Sequence, residues 1–286
     1  MKRFILALPI LLCLICNDTL AAGKVALGYD LGAEVVSAYL WRGQYNGGLS
    51  FQPMATIGFD TENTSIRIGA WASIGASDWA FKSNLPIGEE DPNTYFVPEV
   101  DLVLSYNFYG ITIGANHYYY CDGSNFFSWK PTQTFLEDEN SSQTEVFVGY
   151  SFDHSFGQAA YINWYTFVAG NDFLYNEETL ELERAWSSYL EMGYDYSFDF
   201  GLTLGIQLGF SLWESEIYGN EDFALTNLSA RIGQEWEFDL CSIELFAQGM
   251  LNTCDITKDN LFVKEAGDNK IGIQKLNGTI GLGIWF

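Results

Sequence analysis

Between Leu202 and Trp213 apolar and small or polar positions alternate with a period of two. Leu204, Ile206, Leu208, Phe210 and Leu212 fall on one face, and Thr203, Gly205, Gln207, Gly209 and Ser211 on the other. That is the period of a β-strand, whose successive side chains point to opposite faces. The same pattern sets Ile66, Ile68, Ala70, Ala72 and Ile74 against Ser65, Arg67, Gly69, Trp71 and Ser73. It recurs in the last residues, where Ile280, Leu282, Ile284 and Phe286 alternate with Gly281, Gly283 and Trp285. The alternation predicts twelve strands, near 30–42, 50–60, 64–75, 95–107, 110–121, 142–152, 158–169, 186–197, 202–213, 225–237, 242–252 and 275–286. At about 3.3 Å per residue and a tilt near 40°, each spans the roughly 25 Å apolar band of an outer membrane.

The connections alternate in length as well. Asp60 to Asn63, Tyr109-Gly110, Asp153 to Gly157, Asp199 to Gly201 and Asp239-Leu240 are short and rich in residues that accept tight hairpin geometry. Between them fall longer polar links near 43–49, 76–94, 122–141, 170–185, 214–224 and 253–274. Every long link on one end and every short turn on the other is the layout of an outer-membrane barrel rather than of a sandwich. Closure follows, because an open sheet edge in lipid leaves backbone N–H and C=O groups unsatisfied. The expected fold is all-β: one antiparallel transmembrane β-barrel of about twelve strands, outer-membrane type. An even strand count puts both termini on one side, the periplasmic one. Tyr39, Trp41, Tyr118, Tyr120, Trp164, Tyr194, Tyr196 and Trp236 lie toward predicted strand ends and suggest interfacial girdles.

The first residues add an address. Met1-Lys2-Arg3, an apolar run from Phe4 to Cys16 and Thr19-Leu20-Ala21-Ala22 form a secretory signal removed near Ala22. Residues 1–22 are therefore signal peptide and 23–286 the barrel. Three cysteines remain, Cys121, Cys241 and Cys254; their spacing is neither a disulfide framework nor a zinc site, and a Cys121–Cys254 bridge stays open.

Charge narrows the function. A net charge of −24 repels a polyanion, so nucleic acid is excluded as a partner. Charged side chains within the strands belong in a wet interior, not in lipid. The pore-lining candidates are the acids Glu34, Glu99, Asp101, Glu145, Glu191, Asp195, Glu235, Glu237 and Glu244, facing Arg42, Arg67 and Arg231. An acidic wall favours cations. Trp71, Phe147, Tyr161, Tyr165, Phe167 and Trp213 fall on the same face and narrow it. The long links are acidic too (Glu89-Glu90-Asp91, Glu137-Asp138-Glu139, Glu177-Glu178, Glu181, Glu183, Glu221-Asp222), a pattern suited to a cell surface among lipopolysaccharide; none has EF-hand spacing. No catalytic residue is expected. His154 sits in a short turn, His117 is placed on an outward face near the outer leaflet, and no G-x-S-x-G elbow accompanies either.

Two stretches carry resemblances. The final strand resembles the C-terminal strand of bacterial outer-membrane barrels, which implies that Phe286 is read by the barrel-insertion machinery. Ser37-Ala38-Tyr39-Leu40-Trp41-Arg42-Gly43, followed by Phe51-Gln52-Pro53, resembles the opening of the TorF family of porins. That resemblance implies a small porin in the outer membrane of a Gram-negative bacterium, with Arg42 at the outer mouth beside a glycine that lets the chain turn. The expected function is passive diffusion of small hydrophilic, preferentially cationic solutes, with no cofactor and no metal. The competing class is a non-conducting barrel that serves as a surface anchor or adhesin through its acidic loops.

Overall fold

The computed structural model describes residues 25–75, 98–121, 126–127, 142–152, 158–176, 181–254, 265–266, 269–270, 272–273 and 276–286. Twelve strands close into an antiparallel barrel: β1 Ala26–Val36, β2 Ser50–Asp60, β3 Thr64–Gly75, β4 Glu99–Phe108, β5 Ile111–Tyr120, β6 Gln143–Ser151, β7 Gln158–Gly170, β8 Ser188–Ser197, β9 Leu202–Ser211, β10 Ala224–Glu237, β11 Ser242–Leu251 and β12 Leu276–Trp285. Each strand pairs with its neighbour in sequence, and β1 closes on β12 from Gly32↔Trp285 to Val36↔Gly281. Closure leaves no unpaired edge.

The alternation read from the sequence sets the two faces. Outward lie Tyr29, Leu31, Ile68, Leu104, Val148, Ile206, Ile232 and Leu282, all exposed; Ile206 shows 51 % of its surface. Inward lie the small and polar partners. Several inward rings rest on glycines, which leave room where a Cβ would collide: Tyr189 on Gly209, and Phe246 on Gly281. Large-over-small alternation fills a barrel interior without forcing the strands apart. An apolar outside around a polar inside is the organisation of a transmembrane barrel.

One rim carries tight turns. At Tyr109-Gly110 both residues have positive φ (49° and 83°), the geometry that two-residue hairpin turns require. Residues 61–63, 198–201 and 238–241 link strands on the same rim, and both barrel-closing strands have their ends there, with the Phe286 N–H donating to Leu31 O at 2.8 Å. The predicted turn at 153–157, with His154, lies outside the described residues, as do the signal segment 1–22 and the acids of 89–91, 137–139 and 177–178. Cys121, Cys241 and Cys254 are thiols.

Three expectations are corrected. The first strand does not run to residue 42. It leaves the wall after Val36, because Ser37 N–H donates to Ile280 O and Ala38 N–H then turns to the Thr279 hydroxyl (3.0 Å). The short strands Tyr39–Trp41 and Gln44–Gly47 form a hairpin of their own, joined through Gln44 and Tyr45 to Gly272-Ile273. Consequently Tyr39 and Trp41 are not lipid-facing girdle residues. Tyr118 and Tyr120 are not either, since their strand register turns them inward. Trp164 and Trp236 do stand exposed on the outward face. Trp213 sits in a link at the long-loop rim, its indole N–H donating to the Ala185 and Trp186 carbonyls, not in the interior.

Candidate functional site

The segment that leaves the wall builds the site. Trp41-Arg42-Gly43 makes its turn with φ of +46° at Arg42 and +90° at Gly43. Gly43 is required there twice over: an L side chain rarely adopts that φ, and a Cβ would run into the Thr226 carbonyl oxygen. Asn252 Nδ2 donates to Gly43 O at 3.0 Å, tying the turn to the end of β11.

So pinned, Arg42 reaches across the barrel to β6. Its Nη1 donates to Glu145 Oε2 (2.8 Å) and its Nη2 to Glu145 Oε1 (2.9 Å). The side chains are 7 % and 0 % exposed, a bidentate ion pair taken out of water. Glu145 Oε1 also accepts from the Tyr118 hydroxyl (2.6 Å) and from Asn116 Nδ2 (2.9 Å). Arg42 has further support. Nη1 donates to the Tyr218 hydroxyl at 2.9 Å, and the guanidinium carbon lies 4.9, 4.0 and 4.7 Å from the centroids of Trp41, Tyr165 and Tyr189. Those distances are within cation–π range.

Tyr218 comes from the 212–223 link, which also folds in. It stacks on Tyr189 (5.4 Å) and on Trp41 (6.0 Å), and Tyr118, Phe167, Tyr189 and Tyr218 make one buried aromatic cluster. Gln44 Nε2 donates to Ile217 O, joining the two infolded links. The β5–β8 side of the mouth on the long-loop rim is thus packed.

The opposite side is hollow. A cavity of about 360 Å³ lies beneath the infolded turn, against β1–β5 and β10–β12. Tyr39, Trp41, Trp71, Tyr118 and Phe246 supply its aromatic lining and Asp101 an acid. Tyr39 packs on Trp71 at 5.3 Å. Glu99, 4 % exposed, is hydrogen-bonded by Tyr39 and Tyr120 and touches Asp101. Asp101 is 8 % exposed, and its Oδ1 has no hydrogen-bond partner among the described residues.

The remaining candidates fall into groups that the sequence could not assemble. Arg231 Nη2 lies 2.6 Å from Glu244 Oε2 and 3.6 Å from Glu34 Oε1, with its guanidinium carbon 3.5 Å from the Phe246 ring centroid. Glu34, Glu244 and Glu235 occupy one pairing row, with Gly283 between the first two. Arg67 sits near the short-turn rim against Asp60 (2.5 Å) and Asp30 (3.8 Å). Glu191 is hydrogen-bonded with Gln207, Asn163 and Tyr161, and Asp195 feels the charge of Arg231. Glu237 ends the inward face of β10 in an exposed position. His117 faces outward but is covered: Nδ1 shares a hydrogen bond with the Thr144 hydroxyl (2.8 Å), Nε2 with Phe126 O (2.7 Å), and Phe126 and Phe127 flank the ring. Tyr218, Tyr189 and Tyr165 are the functional residues that sequence reading did not pair with Arg42. Only the Trp41-Arg42-Gly43 run signalled that something special happens there.

The fold and site define a closed twelve-stranded barrel with a polar interior and a mouth narrowed by an inward-folded hairpin. No protein-family model and no curated protein matches the chain, so the resemblance to the TorF family finds no support there. Among solved structures the chain is similar to OmpF of Salmonella typhi in complex with daunomycin, at 12 % identity over 92 % of this chain and 98 % of that one, TM-score 0.37. It is similar to the COG4313 outer membrane channel of Pseudomonas putida F1, at 13 % identity over 94 % and 97 %, TM-score 0.40. It is also similar to OmpT, an outer membrane protein of Vibrio cholerae in its trimer form, at 9 % over 93 % and 99 %, TM-score 0.37. Likenesses of that size carry no residue from those proteins onto this one; the site stands on its own geometry.

Proposed function

We propose that this barrel sits in the outer membrane of a Gram-negative bacterium and passes small hydrophilic solutes by diffusion, cations in preference to anions. The observation that carries the reading is the charge arrangement on the inward face. Arg42, Arg67 and Arg231 are each already paired with one or more carboxylates. Acids are left over: Glu191, Asp195, Glu235 and Glu237 stand on that face with no Arg or Lys in a salt bridge among the described residues. Glu99 and Asp101, whose carboxyls are hydrogen-bonded to each other and so share a proton, add the charge of one more. Excess fixed negative charge in a low-dielectric wall raises the local cation concentration and repels anions. The apolar outward belt supports the membrane assignment. The reading takes 1–22 as a secretory signal, both termini as periplasmic, lipopolysaccharide as the neighbour of the outer rim, and the barrel-insertion machinery as a partner at Phe286.

Single-channel conductance of the refolded mature chain in a planar bilayer under a KCl gradient tests this. Stable current steps with a reversal potential directed toward cations are expected. Silence from a barrel shown to be folded by its heat-modifiable gel mobility would sink the channel reading.

The buried cluster of Tyr118, Phe167, Tyr189 and Tyr218 across part of the mouth favours a second reading, a closed barrel that serves as a surface anchor or adhesin. Liposome swelling with small sugars separates the two, because only an open lumen lets the vesicles swell.

A further inference from the structure

We propose that the cavity beneath the infolded turn is a binding site for a small organic cation, an amine or quaternary ammonium, whose charge lies against the free oxygen of Asp101 and whose carbon groups lie against the surrounding rings. The inference deepens the cation preference proposed above and names the chemistry of one station on the path.

Three observations meet here. First, Asp101 is more than nine-tenths buried, lines the cavity, and has an Oδ1 that no described residue satisfies. A buried carboxyl oxygen that meets neither a donor nor a cation costs free energy, and an ammonium ligand, by its N–H groups or by its charge alone, or a water can compensate it. Second, Tyr39, Trp41, Trp71, Tyr118 and Phe246 all line the same space. Aromatic faces around a carboxylate are how proteins hold an ammonium group, because the ring quadrupole attracts the cation while the rings cover its methyl or methylene groups. Third, the one cation among the described lining residues does not invite an anion. Arg231 is already held by Glu244 at 2.6 Å and Glu34 at 3.6 Å, and Phe246 lies over its guanidinium. Glu34 also lines the cavity, and Asp101 brings the negative charge that its carboxyl shares with the Glu99 carboxyl beside it. Its volume of about 360 Å³ suits a small organic molecule with its waters, not a macromolecular chain.

The probe is choline, set against the uncharged alcohol in which carbon replaces the ammonium nitrogen. The two share shape and hydroxyl and differ in charge. Both are titrated into the refolded full-length barrel in detergent micelles, with heat of binding and tryptophan fluorescence as readouts, since Trp41 and Trp71 line the cavity. Saturable choline binding, at least about tenfold tighter than the alcohol, is expected, the discrimination that a desolvated cation–π and carboxylate site provides. Asp101→Asn is expected to erase that preference, and Asp239→Asn, in a turn at the opposite rim, to keep it. Equal binding of choline and the alcohol, or no saturation by either, overturns the proposal, and the wild-type comparison gives that answer even if Asp101→Asn fails to fold. So does an Asp101→Asn barrel that still prefers choline. Binding is read without current, so a barrel that binds choline but passes no ions sinks the channel reading alone. A conducting barrel indifferent to the ligand's charge sinks this one alone.

Discussion

Replacing Arg42 by Met tests the architecture of the mouth most directly. The substitution keeps an unbranched stem of similar length but deletes the guanidinium that touches Glu145, Tyr218 and three aromatic rings. Glu145 would then be a carboxylate with 0 % side-chain exposure, held among the described residues by Tyr118 and Asn116. Removing one partner of a buried ion pair costs about 3–5 kcal/mol, chiefly because the other charge stays buried without compensation. Glu145→Gln keeps an oxygen for the Tyr118 hydroxyl and removes that charge. If the burden of Arg42→Met is the stranded carboxylate, the double variant Arg42→Met/Glu145→Gln should lose only about 1–2 kcal/mol, for the hydrogen bonds and cation–π contacts no longer made. Glu145→Gln alone would strand the buried Arg42 guanidinium at a similar cost of about 3–5 kcal/mol. The two single costs would then exceed that of the double variant by at least about 4 kcal/mol, well beyond the few tenths by which independent sites depart from additivity. Guanidinium unfolding of the refolded variants in lipid vesicles, followed by tryptophan fluorescence, supplies the four free energies. An Arg42→Met cost below about 1 kcal/mol, or effects that simply add, would refute the reasoning and mean that water reaches Glu145.

Two other outcomes follow from the fold. Ile206→Arg puts a charge on the outward face at mid-strand and should cost about 2–4 kcal/mol, seen as a loss of the heat-modifiable folded band; Thr56→Arg, on the inward face beside Asp30, should fold nearly as well as the wild type. At the long-loop rim, burial pushes the Asp172 carboxyl above its ordinary range, against the opposing pull of the Ser187 hydroxyl and N–H and of Arg184. With the folded pKa raised, folding takes up a proton there, so this residue's contribution is fully present below the ordinary carboxylate pKa and is lost as pH rises through the raised value. Asp172→Asn should flatten that slope in unfolding midpoints taken from about pH 3 to about pH 7.

The strands were legible because their cause is local. Each of the twelve was readable from a period-two alternation, and Gly110 marked the turn at Tyr109-Gly110, since glycine accepts positive φ without strain; the positive φ of Tyr109 was not legible from its residue type. The excess of acids over arginines on the inward face was visible for the same reason: once a strand's face is known, parity assigns every residue on it. That reasoning failed where the chain stopped obeying its neighbours. Residues 37 to 42 continue to alternate, yet the segment leaves the wall, because the Thr279 hydroxyl, some 241 positions away, accepts the Ala38 N–H. Tyr39 and Trp41 therefore trade lipid for the interior.

The amino-acid sequence by itself determined a barrel of twelve strands with an apolar outside, and a set of inward charges biased toward acid. Tertiary structure alone decided which of those charges cancel. Arg42 and Glu145 are 103 positions apart, Arg42 and Tyr218 176, and no periodicity links them. Their meeting depends on how the closed barrel brings β1 opposite β6 to β8 and on the turn at Gly43 that aims the guanidinium across the mouth. Asp101, in the lining of the cavity beneath the infolded turn, keeps an Oδ1 that no described residue satisfies. Alternation is a property of consecutive residues, whereas pairing across a lumen is a property of closure, and only the latter separates a spent charge from an available one.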